Sequence, residues 1–511
     1  MRVPGLPPAG KTIHHGATMS GLVRATRSKD WHANRDRSSA AAARTHEGPG
    51  PQHFLWFTPA LGVLLGGYLF FSKSFAYLHV PGTPIFVGEI VLALGVVEAL
   101  LIRSPWRHLI STSPVLKALL VSTAVGGFRL LFDFPRYQLD AVRDSALWYY
   151  GIYAFLVAAA AIREPTFIPR LLSWYRRAIP WFFLWAPIAI IAAGFEALSS
   201  ISVPGSTTPI NSFKSGDLTV QVALALAFLW LGVDRVHGMR PVSRPTMIFL
   251  SVVGTLTVGI GASQTRGGFV AALILLAITF AFLPALRRRL IVLGVGGGLS
   301  VVLALILVLD VRLQGGSRDV SLGQLGTNVA SLFGAETEDQ LAGTVEWRLG
   351  YWSQVFNDLT SSRAWASGLG FGPILPERYQ LVDPVIDPNQ PPLRNAHNSH
   401  LTVIARVGFL GFTAWLAVWG VYCLQTTRYI RRRRRQYGRD GSWALAVWLL
   451  VAAPGFLVNA FFDPSLEGPQ AAIWLYVLLG LGAAVTHVAS RALPPRRTAA
   501  GSPAHQSGPI T

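Results

Sequence analysis

Two polar motifs interrupt an otherwise apolar chain: Ser263-Gln264-Thr265-Arg266-Gly267-Gly268 and Arg394-Asn395-Ala396-His397-Asn398-Ser399-His400-Leu401. Each stands at the mouth of a predicted helix. Arg266 lies in the short turn between two apolar runs, at the start of the second. Its guanidinium offers a planar fork to phosphate oxygens, and the N-terminus of the helix behind it favours the same anion. The spacing equally suits an arginine that snorkels to the water boundary. His397 precedes a helix that opens near His400. An imidazole beside a helix N-terminus and close to arginines is disfavoured in its charged form, so it stays neutral and can accept a proton, as a general base must. Capping or lining the interface is the plainer role of a histidine at a helix mouth, and His400 reads that way.

Arg348 sits in Glu346-Trp347-Arg348-Leu349-Gly350-Tyr351-Trp352, where it can close over a phosphate held by Arg266, or pair with Glu346 or a lipid headgroup. Arg143 with Asp144, Lys214 with Asp217, and Asp463 with Glu467 stand at the edges of other apolar runs. Their acids suit sugar hydroxyls or the orientation of arginines, and solvated ion pairs would look the same. Gln264, Tyr351, Arg394 and Asn398 flank the three principal residues and complete the candidate set.

The elements that must position these groups are membrane helices. Of the 511 residues 51% are hydrophobic and 14% charged, and the apolar ones gather into runs of about twenty, the length that carries a helix across a ~30 Å hydrocarbon core. The predicted fold is all-α and polytopic, with about twelve spans: 53–72, 84–102, 115–131, 145–162, 179–198, 218–234, 245–262, 267–285, 289–309, 400–422, 443–462 and 470–489. Most lysines and arginines then fall on one side, including Arg103, Arg107, Arg163, Arg170, Arg176, Arg177, Arg235, Arg240, Arg244, Arg287 to Arg289 and the run Arg431 to Arg435. Positive residues mark the cytoplasmic face, so both termini are predicted inside and the candidate residues outside. Residues 1–52 read as a basic, disordered cytoplasmic tail, in which Met19 is a second possible start, and 490–511 as a second tail.

Between a first block of about nine helices (53–309) and a last block of three (400–489) lies a segment, 310–399, too long for a plain connector and placed outside by the same topology. Its middle is amphipathic, with Leu341, Val345, Leu349, Trp352, Phe356 and Leu359 at three- and four-residue intervals. Gly368 to Gly372 and the stretch from Asp383 to Pro392 break regular structure after it.

Several function classes fall away. The net charge of +19 comes from tails and short inner loops, which is no nucleic-acid-binding face. The arginine run 431–435 suits anionic lipid headgroups. Cys423, the single cysteine, allows no disulfide within the chain. Asp383 and Asp387 are too few for a metal site. Gly294 and Gly296 to Gly298 lie inside a span, where small residues serve helix packing, and no nucleotide-binding loop is present. A transporter or flippase of lipid-linked sugars is the rival reading, but it needs polar groups through the midplane. Glu89 is read as the one acid well inside a span.

Taken together, Thr265-Arg266-Gly267-Gly268, then Arg348-Leu349-Gly350-Tyr351-Trp352 leading to Gly368-Leu369-Gly370, and then His397-Asn398-Ser399-His400-Leu401 through Gly408 and Gly411 resemble the O-antigen ligase and polymerase superfamily of bacterial membrane glycosyltransferases. Many relatives carry an aromatic residue where His400 stands and an acid where Arg406 stands. The resemblance implies a GT-C-like helical fold and an inverting transfer, or polymerisation, of glycan from a polyprenyl diphosphate on the outer face of the cytoplasmic membrane. It implies Arg266 and Arg348 on the donor diphosphate and His397 as base toward the acceptor hydroxyl. The expected partners are the lipid-linked donor, a glycan, lipid-glycan or cell-wall acceptor, and membrane lipid. No cofactor, metal or nucleotide is expected.

Overall fold

The computed structural model describes residues 54–104, 106–238, 242–309, 339–375 and 396–492. The predicted tails, Arg394, Asp383 and Asp387 lie outside them, as do parts of the long segment. The described chain is helical, and its only strand-like pairings are two isolated antiparallel bridges, His79 with Phe86 and Ser202 with Pro209.

Seventeen described α-helices follow in chain order. The first seven are α1 (Phe57–Ala76), α2 (Val87–Leu101), α3 (Trp106–Thr112), α4 (Pro114–Tyr137), α5 (Leu139–Asp144), α6 (Ala146–Tyr149) and α7 (Ile152–Arg163). Then come α8 (Phe167–Ala192), α9 (Glu196–Ser199), α10 (Ser215–Leu231), α11 (Arg244–Gln264), α12 (Arg266–Phe282) and α13 (Ala285–Leu309). The last four are α14 (Asp339–Ser361), α15 (Ser399–Tyr437), α16 (Gly441–Phe462) and α17 (Pro469–Ala492). Local chemistry sets many of the ends. Ser113 and Ser243 cap α4 and α11, each with proline in the first turn, and Asp440 caps α16 by accepting from Trp443 N. Gly232, in the left-handed conformation, closes α10.

Among the described residues seven helical stretches can cross a membrane by length and composition, and α10 and α12 are shorter apolar helices beside them. The chain is therefore a multi-pass helical membrane protein. Helix falls in each of the twelve predicted runs, but the ends differ. α2 has only fifteen residues. α15 runs on from the predicted end at 422 to Tyr437, taking the arginine run into the helix.

One continuous core takes buried side chains from α1 to α8, α10 to α13 and α15 to α17. α10 is its centre, buried at every position from Asp217 to Leu231. A helix apolar all round has no face for water, and here the bundle surrounds it. Large apolar side chains such as Val63, Leu131 and Leu293 stay exposed on the perimeter, the surface lipid would cover. A second, smaller cluster joins Tyr351, Val355 and Leu359 of α14 to Leu401, Ile404 and Ala405 of α15.

Acids within the predicted spans have structural work. Glu89 accepts from Phe86 N and from the hydroxyls of Tyr149 and Tyr150, at 3.1, 3.0 and 2.6 Å. Glu98, a second acid in the same span that the sequence reading passed over, is buried and accepts from Trp56 N and Phe57 N at the start of α1. Both carboxylates thus satisfy amides at helix starts, which would otherwise be bare in hydrocarbon.

Candidate active site

α12 begins at Arg266, because Thr265 turns extended and its hydroxyl accepts from Gly268 N at 3.2 Å. The two glycines that follow let other backbone come close. A Cβ on Gly268 would stand 2.6 Å from Gly216 Cα, and one on Gly267 would overlap the Phe462 side chain. The starts of α10 and α12 and the end of α16 therefore converge where Arg266 emerges.

Phe462 also receives α14. Arg348 Nη1 donates to the Phe462 carbonyl at 3.3 Å. One residue earlier, Trp347 meets the His397 ring edge-on at 5.8 Å and Tyr351 at 5.6 Å. One turn later, Trp352 Nε1 donates to the Ala396 carbonyl at 3.0 Å, so α14 touches the His397 segment at two points. His397 itself has φ 52°, in the left-handed region. That region costs a side chain about 1–2 kcal/mol, and such strain concentrates at functional sites. Asn398 then starts α15, its side chain accepting from His400 N at 2.9 Å and Leu401 N at 3.1 Å.

The turn after α16 completes the group. Ser399 Oγ donates to the Asp463 carbonyl and accepts from Leu466 N, tying the start of α15 to this turn. Lys214 Nζ meets Asp463 Oδ1 at 2.6 Å. Asp217 is buried and accepts from Asn459 Nδ2 at 2.9 Å and Gln470 Nε2 at 3.3 Å. Burial pulls the Lys214 ammonium down, but Asp463, Asp217 and Glu467 together outweigh it and hold it above its usual range. Burial pushes the Glu467 carboxyl up to about 8, against the opposing pull of Arg406 and Lys214, so Glu467 is protonated at neutral pH.

Thus Arg266, Arg348, Tyr351, His397, Asn398, Lys214, Asp217, Asp463 and Glu467 gather around the C-terminal end of α16. Gln264 is buried next to them, its Nε2 at 3.5 Å from Ser263 Oγ. Arg143 is exposed on α5. Asp144 faces inward: it pairs with Arg406 at 2.9 Å and accepts from Gly372 N at 2.8 Å. His400 Nε2 donates to the Leu457 carbonyl at 2.8 Å, and the ring packs on Trp415.

The glycine-rich loop is a structural bracket. Leu369 N and Gly370 N donate to Ala405 O and Arg406 O, while Phe371 N donates to Asp133 and Gly372 N to Asp144. α15 is broken at Gly408, with φ 67°, where the loop runs against it and Phe409 N donates to Trp365 O. Buried Arg406 closes the bracket by donating to the Gly370 and Pro373 carbonyls. These amides are committed within the protein, so a phosphate would find no cradle here.

Sequence reasoning missed Trp347, Asn459, Gln470 and Phe462. Asn459 had left a signal, as the one amide in the apolar run of α16. Phe462 had none, because its part is a backbone carbonyl and a packing face.

Residues 249–416 match the family model described as O-antigen ligase. That stretch is similar to the O-antigen ligase family. It begins within α11 and ends within α15, so Arg266, Arg348 and His397 all lie inside it. Lys214, Asp217, Asp463 and Glu467 lie outside it and complete the cluster from α10 and the turn after α16. Comparison with curated proteins returned no match.

Proposed function

We propose that the chain is an inverting glycosyltransferase of the cytoplasmic membrane, transferring or polymerising glycan from a polyprenyl diphosphate to an acceptor hydroxyl on the outer face. The observation that supports this reading is the contact of Trp347 with His397 beside the Arg348 bond to Phe462, which brings Arg348 and the imidazole to neighbouring residues of α14 within the stretch that matches the O-antigen ligase model.

Arg266 and Arg348 hold the donor diphosphate, each charge-assisted bond contributing about 1.5–3 kcal/mol as negative charge builds on the leaving group. His397 takes the acceptor hydroxyl proton as the oxygen attacks the anomeric carbon. The new C–O bond forms on the face opposite the breaking bond to phosphate, so the configuration inverts. The lipid diphosphate departs with the bonding pair and supplies the driving force; the step needs no nucleotide, metal or cofactor. Lys214 stays paired with Asp463 at the edge of the group, and protonated Glu467 can donate to a sugar oxygen.

The decisive experiment gives purified full-length protein a labelled polyprenyl-diphosphate glycan and a candidate acceptor. Release of lipid diphosphate together with a new glycosidic product is expected, and product length separates ligation from polymerisation. Donor moved across a vesicle bilayer without bond cleavage would make the protein a carrier instead.

A further inference from the structure

At the other end of α11 lies a cleft of about 460 Å³ between α8, α10 and the start of α11. α11 has 21 residues, so at 1.5 Å per residue the cleft is roughly 30 Å from the candidate active site. Two arginines, Arg176 and Arg177, stand at its mouth, with Ser243 beside them; Ile179, Leu229 and Leu250 form an apolar wall. Neighbouring cations are used by the fold. Arg170 pairs with Glu164 at 2.9 Å, Arg163 donates to the Arg103 carbonyl, and Arg287 donates to the Trp230 carbonyl. Among the described residues Arg176 and Arg177 have no acid and no carbonyl of this kind.

Two adjacent guanidiniums above an apolar wall match one chemistry, a phosphodiester carrying acyl chains. We infer that this cleft is a binding site for an anionic phospholipid, the headgroup phosphate on Arg176 and Arg177 and an acyl chain along Ile179, Leu229 and Leu250. The candidate active site and this site occupy opposite ends of α10 and α11, so a lipid here braces the helices whose far ends form the cluster around Arg266.

Delipidated full-length protein in detergent, titrated with fluorescent phosphatidylglycerol, tests the assignment. Binding is expected to weaken roughly thirty-fold in the Arg176→Gln/Arg177→Gln variant and to survive in Arg176→Lys/Arg177→Lys. In the wild-type protein, rising salt should weaken it without any substitution. Unlabelled phosphatidylglycerol should compete, while phosphatidylcholine and inorganic phosphate should not. Equal competition by phosphatidylcholine, equal competition by inorganic phosphate, salt-independent binding, or much tighter competition by a polyprenyl phosphate would each overturn the assignment. Because donor cleavage is not the readout, the result stands apart from the proposed glycosyl transfer.

Discussion

The indole of Trp347 meets the imidazole of His397 edge-on, with ring centroids 5.8 Å apart and planes at 80°. The contact joins α14 to the turn that leads into α15, between residues fifty positions apart in sequence. The indole belongs to the residue next to Arg348, whose guanidinium reaches Phe462. An aromatic contact of this kind helps to fix the orientation of the ring.

Replacing His397 separates chemistry from backbone. Loss of the base should slow product formation by about 10² to 10⁴-fold in both His397→Ala and His397→Gly. At φ 52° glycine pays no steric penalty, so the glycine variant should melt no lower than the alanine variant. Single-turnover rates with labelled donor, beside thermal melts in detergent, check both; near-normal turnover in either variant would remove His397 from its role.

Arg348→Gln should keep the helix but lose a donor to the leaving diphosphate. A drop in kcat/KM of roughly tenfold to hundredfold is expected. Arg348→Lys should recover only part, since an ammonium cannot reproduce the guanidinium fork. An unchanged donor kcat/KM in Arg348→Gln would reduce Arg348 to a strut against Phe462.

Gly268→Ala should part α10 from α12, because the new methyl meets Gly216 backbone and not the far end of a flexible side chain. Overpacking of this kind costs about 1–3 kcal/mol. It would also shift Arg266, so stability and activity should fall together, readable in parallel melts and donor-release assays.

The buried pair of Arg406 and Asp144, with side chains 2% and 8% exposed, sets up a sharper loss. Asp144→Ala would leave a guanidinium buried without its acid, at a cost of about 3–5 kcal/mol. Arg406 stays bonded to Gly370 and Pro373, so the damage should centre on the glycine-rich bracket. Hydrogen exchange at residues 369–372 should rise first; unchanged protection there would show that the bracket stands without the pair.

Glu467 gives a pH signature. Its folded pKa is raised from the usual 4.5 to about 8, so its contribution to stability is fully present below about 4.5 and is lost as pH rises through about 8. Glu467→Gln mimics the neutral form. Between about pH 5 and about pH 8 the wild-type protein should lose thermal stability by more than Glu467→Gln does, and level off above that; parallel pH profiles would contradict a protonated Glu467.

The sequence made helical class, membrane character and the polar motifs legible, because each is written in local chemistry. Apolar runs match a hydrocarbon core in length, and the polar motifs stand where those runs break. The likeness at Arg266, Arg348 and His397 was equally readable, since it rests on residue types and their order. Span ends were less so: α15 continues into its arginines because helical backbone needs no apolar side chain, only unbroken hydrogen bonds.

What tertiary structure decided was the use of each polar group. Asp144 and Asp463 both looked like acids at a helix edge, yet one is buried against Arg406 and the other holds Lys214 beside the candidate site. No local pattern distinguishes them, because partners hundreds of residues apart set the outcome. The same holds for Gly216 and Gly268, whose contact brings α10 against the start of α12, and for Phe462, whose carbonyl takes Arg348. Residue type sets what a side chain is able to bond. Which bond it makes depends on the close packing of distant helices, where a buried polar group left unmatched costs more than any local preference.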